Sequence, residues 1–111
     1  MSKIQITFAC GLYDRMLPLL TKEVQPDGID LNFLAIDNPR EIFDRMSGAQ
    51  EFDVSEMSSS EFVARHAAGD CPFVALPVFP SRVFRHGHIA INRQTIRTPA
   101  DLAGKRIGVP L

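Results

Sequence analysis

Three consecutive serines, Ser58, Ser59 and Ser60, stand between two acids, Glu56 and Glu61. At a strand-to-helix junction such a run suits an anion, because the unpaired N–H groups and the positive end of the helix dipole favour a carboxylate there. One serine suffices as a cap, so the other two are what points to a ligand. Glu56 is a candidate proton donor or acceptor if burial or a nearby acid raises its pKa. The plainer reading is a solvated or Arg-paired carboxylate.

A second group lies in Phe79-Pro80-Ser81-Arg82-Val83-Phe84-Arg85-His86. Arg82 and Arg85 carry planar guanidinium forks that match carboxylates, although surface arginines without a ligand look the same in sequence. His86 is a candidate proton shuttle or carboxylate partner. His86 and His88 flank Gly87 and would share one face of a strand, but no third ligand stands near them, and no metal site is expected. Tyr13 and Asp14 follow the first strand-like segment and are candidates for contact with a ligand. Asp14 reads equally well as a helix cap. His66, beside Phe62 and Val63, reads as a packing or surface residue. No glycine-rich phosphate loop, Cys-x-x-Cys pair or nucleophile elbow is present.

The elements that must position these residues alternate. Ile4, Ile6 and Phe8 alternate with Gln5 and Thr7, a strand pattern. A helical face follows over Asp14 to Val24, with Pro18 near its first regular turn. Pro26-Asp27-Gly28 is a turn, and Ile29 to Ile36 is a strand. Asn38-Pro39-Arg40-Glu41 starts a helix with a capping box, and Gly48 can end it. Phe52 to Glu56 is expected as the third strand. Ser58 and Glu61 suggest a second capping box, opening a helix that Gly69 ends. Further strands are expected at Phe73 to Phe79, with Pro77 at an edge or bulge, at His88 to Asn92, and at Lys105 to Val109. Thr98 to Gly104 reads as a capped single turn. The order β-α-β-α-β-α-β-β-α-β calls for an α/β fold, a mostly parallel sheet with helices on both faces. Chain reversal at a switch point then sets the loops after the first and third strands, Cys10–Asp14 and Ser55–Ser60, side by side. The apolar strand at the end, 105–109, has nothing after it to cover it, so an open edge or a truncated domain is expected.

Composition bounds the rest. The chain has 111 residues, 45% hydrophobic and 23% charged, which fits one small globular domain. No apolar run reaches the ~20 residues of a membrane helix. The N-terminus lacks the apolar core of a signal peptide, so a cytoplasmic location is expected. Cys10 and Cys71 match no zinc spacing and read as reduced, mostly buried thiols. Residues 1–79 carry 6 Lys/Arg against 12 Asp/Glu, whereas residues 80–111 carry six basic residues against Asp101 alone. That asymmetry favours an anionic partner. The basic residues are not clustered and no nucleic-acid motif is present, so neither nucleic acid nor membrane is expected as a partner.

Four segments, CGLYDRMLPLL, EFDVSEMSSSEF, CPFVALPVFPSRVFRH and TPADLAGKRIGVP, together resemble the 4,5-dihydroxyphthalate decarboxylase family. The resemblance runs nearly the whole length of the chain. It implies the first lobe of a type II periplasmic-binding-protein fold in a longer, two-lobed protein: residues 1–93 as a partial lobe one, and 94–111 as the crossover and start of a truncated lobe two. The implied activity is cofactor-free, non-oxidative decarboxylation of a dihydroxylated aromatic dicarboxylate to a catechol acid such as protocatechuate. Arg82 and Arg85 would then hold the carboxylates, His86 or Glu56 would supply the proton, and Tyr13, Asp14, Ser58 and Ser59 would meet the ring and its hydroxyls. Two alternatives stay open: the solute-binding component of an ABC-type uptake system for a small organic anion, and an inactive gene fragment. Self-association through the uncovered C-terminal strand is a further expectation.

Overall fold

A computed structural model of the chain describes residues 2–109. Met1, Pro110 and Leu111, the outermost residues of the two expected lobes, lie outside the described residues.

Strand β1 spans Ile4–Cys10 and pairs in parallel with β2, Ile29–Ala35, along its whole length. The register sets Ile4 against Ile29 and Cys10 against Ala35. Strand β3, Val54–Ser55, pairs in parallel on the other side of β1, Val54 against Phe8 and Ser55 against Ala9. The strand order is therefore β2-β1-β3. The chain leaves central β1 toward one edge and returns to the other, which makes the carboxyl ends of β1 and β3 a switch point.

A short helix α1, Leu17–Leu20, follows a tight helical turn at Asp14–Met16 and packs along β2. Helix α2, Pro39–Ala49, packs against β1 and β3. Its start is as the sequence predicts: the Asn38 side chain accepts from the Arg40 N–H at 3.1 Å, with Pro39 next. Glu41 does not fold back to complete a box; it pairs with Arg45 one turn on, at 3.0 Å. Ile42 is fully buried against Ala9 and Phe52, with Leu34, Ile36, Phe43 and Met46 around them. This is the core, and the strand alternation explains it, since Ala9 and Leu34 share one sheet face. Helix α3, Ser59–Ala68, ends as expected at Gly69, whose left-handed backbone (φ 74°) closes the last turn.

Several expectations fail. The helix expected over 14–24 is a tight turn plus one short helix, and Lys22 (φ 62°) lies in the left-handed region just beyond it. The third strand has two residues, not five. Ser58 precedes α3 without a side-chain cap bond. Its hydroxyl meets that of Ser60 at 2.8 Å, and Glu61 turns instead to Ser47 and Arg65. Residues 73–79 and 105–109 form no strand, and 88–92 gives way to a helical turn at Arg85–His88 followed by irregular chain. His86 and His88 therefore do not flank a strand glycine. The cause for 73–79 is that a strand needs an edge to join. β3 offers only two residues, and Pro72, Pro77 and Pro80 remove backbone donors. The segment instead lies in the open, with Val74 89% and Phe79 66% exposed. The radius of gyration is accordingly 18.5 Å, against about 13 Å for a compact chain of this length. The turn at Pro99–Leu102 does form, with the Asp101 carboxylate accepting from the Thr98 and Arg97 N–H groups at 2.8 and 2.9 Å. Those two bonds hold Asp101 below the usual carboxylate range.

Among the described residues no helix is long and apolar enough to cross a membrane.

Candidate functional site

The loops after β1 and β3 meet, as the alternation predicts. Beyond Ser55 the backbone stays in register for one more residue, and the Glu56 N–H donates to the Ala9 carbonyl at 3.1 Å. That register aims Glu56 at the loop after β1. Its carboxylate is only 7% exposed and is fully engaged: the Gly11 N–H donates to Oε1 at 2.9 Å, and the Tyr13 hydroxyl donates to Oε2 at 3.0 Å. Neither plain reading of Glu56 holds, since it is neither solvated nor paired with an arginine.

Gly11 leaves a tight space between the Tyr13 ring and the Glu56 carboxylate. A Cβ there would stand 3.0 Å from the Tyr13 ring and 3.2 Å from Glu56 Oε1. The Tyr13 phenol is pushed above its ordinary range, first by burial and also by the Glu56 charge, while the neighbouring Ser81 hydroxyl pulls the other way. Cys10, fully buried at the end of β1, is pushed up to about 12 by burial and then by Glu56. It is a protonated, packed thiol and no nucleophile at neutral pH.

The remaining predicted residues divide. Asp14 points to solvent (92% exposed) and pairs with Arg15 at 3.0 Å, so it caps no helix by its side chain. Ser58 is partly buried and Ser59 and Ser60 are exposed, at the first turn of α3 directly after the Glu56 loop. Arg82, Arg85 and His86 are exposed on the segment that leaves Pro80. Arg82 Nε donates to the Phe79 carbonyl at 3.0 Å, and His86 lies 5.0 Å from the Phe84 ring. The structure thus joins Tyr13 to Glu56 and leaves Arg82, Arg85 and His86 outside that pair.

Three residues were missed in the sequence: Gly11, Arg15 and Ser81. Arg15 Nε donates to the Pro80 carbonyl at 2.8 Å, and its guanidinium stands 5.2 Å from the centre of the Tyr13 ring. The signal available was a basic residue beside the only tyrosine of the chain, in the loop after the strand that must be central. A cavity of about 570 Å³ lies elsewhere, along Gln5, Thr7, Asp30, Asn32 and Asp53. Its floor is the polar stretch of the sheet and it includes neither Tyr13 nor Glu56, so it does not mark the switch-point site. Among the described residues no cluster of histidine, cysteine and carboxylate side chains could hold a metal ion.

The chain is thus a small parallel α/β sheet with a buried carboxylate, a phenol and a guanidinium gathered at the carboxyl ends of its strands, where open α/β sheets in general take their ligands. The chain is 48% identical over 111 residues to a 4,5-dihydroxyphthalate decarboxylase from Comamonas testosteroni, a match covering 99% of this chain and 33% of that protein. It is 47% identical over 111 residues to the 4,5-dihydroxyphthalate decarboxylase of Pseudomonas putida, covering 99% and 43%. The chain therefore resembles one part of these decarboxylases, as the four sequence segments imply, and spans less than half the length of either relative. No protein-family model matches it.

Proposed function

We propose that this chain is part of a 4,5-dihydroxyphthalate decarboxylase-like carboxy-lyase and contributes one wall of its substrate site. The observation that carries the reading is the near half identity along the whole chain to proteins of that name. The site supports it, because the loops that meet at the switch point lie within two of the segments that carry the resemblance.

In this reading the substrate is an aromatic dicarboxylate. A ring hydroxyl para to a carboxylate feeds electrons into the ring, and a proton is delivered to the carbon that bears the carboxylate. The carbon–carbon bond then breaks, carbon dioxide leaves, and the ring regains aromaticity. Glu56 fixes the Tyr13 phenol, whose oxygen faces the loop that carries Ser81 and can meet a substrate hydroxyl. Arg82 and Arg85 serve the carboxylates, and His86 or Glu56 supplies the proton. Ser58, Ser59 and Asp14 complete the polar rim. A periplasmic-binding-protein-like lobe over 1–93, a crossover over 94–111, a cytoplasmic location, the lack of a cofactor and self-association through the C-terminal segment 105–109 are parts of the same proposal.

The test is an NMR titration of the chain with phthalate and with benzoate. Phthalate should bind more tightly, its binding should weaken with salt, and Arg82→Ala or Arg85→Ala should remove about 1.5–3 kcal/mol, the scale of a hydrogen bond to a charged group. Equal binding of the two acids, unchanged in both variants, would falsify the dicarboxylate reading.

A further inference from the structure

Residues 71–93 carry the two arginines and the histidine of the proposed site, yet they form no strand and lie largely exposed. The other hydrogen bonds made by this segment are local, such as Arg82 to Phe79 and Val78 to Leu76. Arg15 reaches it from the turn after β1. Arg15 Nε donates to the Pro80 carbonyl at 2.8 Å, across 65 positions of sequence. The same guanidinium lies over the Tyr13 ring at 5.2 Å and is steadied by Asp14 Oδ1, 3.0 Å from Nη1. Ser81, next to Pro80, lies against the Tyr13 hydroxyl. Arg15 and the contact of Ser81 with the Tyr13 phenol are thus where the body before residue 71 holds the chain beyond it.

We propose that Arg15 is a positioning residue, a latch that holds the Phe79–Arg82 stretch against Tyr13 at the mouth of the site. The chemistry favours arginine for this. A planar guanidinium can lie over an aromatic face while its edge donates in plane to a carbonyl, whereas an ammonium has no flat face to stack and no fixed donor direction. Asp14 offsets the charge and fixes the side chain's direction. The result is a continuous chain of contacts: Glu56 orients Tyr13, Tyr13 carries Arg15, and Arg15 brings Pro80 and Ser81 to the phenol, with Arg82 one residue further on. Arg15 thus determines whether the basic segment and the buried carboxylate face the same ligand. This rests on the proposed site, but the latch can be tested without it.

The experiment uses the full chain, isotopically labelled, with Tyr13 as its sole tyrosine and hence unambiguous ring resonances. Contacts between the Tyr13 ring protons and those of Pro80 and Ser81 are measured by nuclear Overhauser effect in the wild type, Arg15→Met and Arg15→Lys, with Arg93→Met as an exposed control. The contacts should vanish in Arg15→Met, return in part in Arg15→Lys and be unaffected in Arg93→Met, while the amide spectrum of β1, β2 and α2 stays dispersed. Phthalate affinity should fall about tenfold in Arg15→Met, the scale of one charge-assisted hydrogen bond. Should Arg15→Met lose its dispersion, the comparison rests on Arg15→Lys, where the contacts should weaken. Contacts that survive in a folded Arg15→Met, or at full strength in Arg15→Lys, overturn the latch. A phthalate affinity indifferent to their loss overturns the positioning role. A wild type that binds no phthalate overturns the proposed function instead, and the contact comparison still decides the latch.

Discussion

The Tyr13 hydroxyl donates to Glu56 Oε2 at 3.0 Å across 43 positions of sequence, and so joins the loop after the central strand to the loop after an edge strand. A buried carboxylate is costly unless hydrogen-bonded. Here the cost is met by one phenol and one backbone amide, and the same two bonds set the shape of the site. A contact that stabilises the fold and the geometry of the candidate site therefore meet at one residue.

Glu56→Ala should be the most damaging single change at the site. It leaves the buried Gly11 N–H without an acceptor, a loss of about 1–3 kcal/mol. Glu56→Gln keeps an amide oxygen for Gly11 and should lose less. Urea unfolding of the three proteins checks this order. Equal midpoints for wild type and Glu56→Ala would show that the two bonds carry no stability.

Gly11→Ala tests the same contact from the other side. The added methyl would press on the Tyr13 ring and Glu56 Oε1, so both must move. The expected loss is about 1–3 kcal/mol, the usual cost of overpacking. Tyr13 should at the same time lose its contact with the carboxylate, seen as a shift of its ring resonances. Gly48→Ala, where an added Cβ meets nothing within 4 Å, is the control and should be near neutral or stabilising.

Much of this site was legible in the sequence, for a local reason. The alternation in Ile4–Phe8 and Ile29–Phe33, the Asn38-Pro39 start and the Gly69 stop are decided by nearby residues, and they suffice to order three parallel strands. Order alone puts Tyr13 and Glu56 in neighbouring loops. What could not be read was whatever depends on a competitor or a neighbour. Ser58 and Glu61 have the capping-box spacing, but Ser47 and Arg65 take Glu61, and together they hold its carboxyl below the usual range. Phe73–Phe79 has the composition of a strand, but composition does not supply an edge. Arg15 gave no sign of its partner, because a bond to a backbone carbonyl is independent of the side chain at Pro80.

The two cysteines should differ in reactivity. Cys10 is fully buried and its thiol is held far above the pH of an ordinary assay, whereas Cys71 is partly exposed. At pH 8 one thiol per chain should react promptly with Ellman's reagent, and mass mapping should place it at Cys71. The second should react only as fast as the chain opens, and at once in denaturant. Two equally fast thiols in the native chain would contradict the packing around Cys10.

Alkali should weaken the fold through Cys10 and Tyr13, and the sign follows from linkage. Both groups hold their protons more tightly folded than unfolded: Cys10 is raised from 9.0 to about 12, and Tyr13 is raised above 10.0. Below pH 9 both are protonated in either state, so their contribution is fully present. Above it the unfolded chain releases its protons first, and stability falls with rising pH until the folded groups also titrate. The urea midpoint should thus be level from pH 7 to about 8.5 and decline between about 9 and 12. Cys10→Ser should flatten the early part of the decline. The chain has one tyrosine and no tryptophan, so absorbance near 295 nm follows Tyr13 alone. Its midpoint in the native chain should lie above 10.0 and fall in Glu56→Gln, because removing the negative charge makes the phenolate easier to form. A native midpoint at the ordinary value, unmoved by Glu56→Gln, would mean that phenol and carboxylate are not in contact in solution.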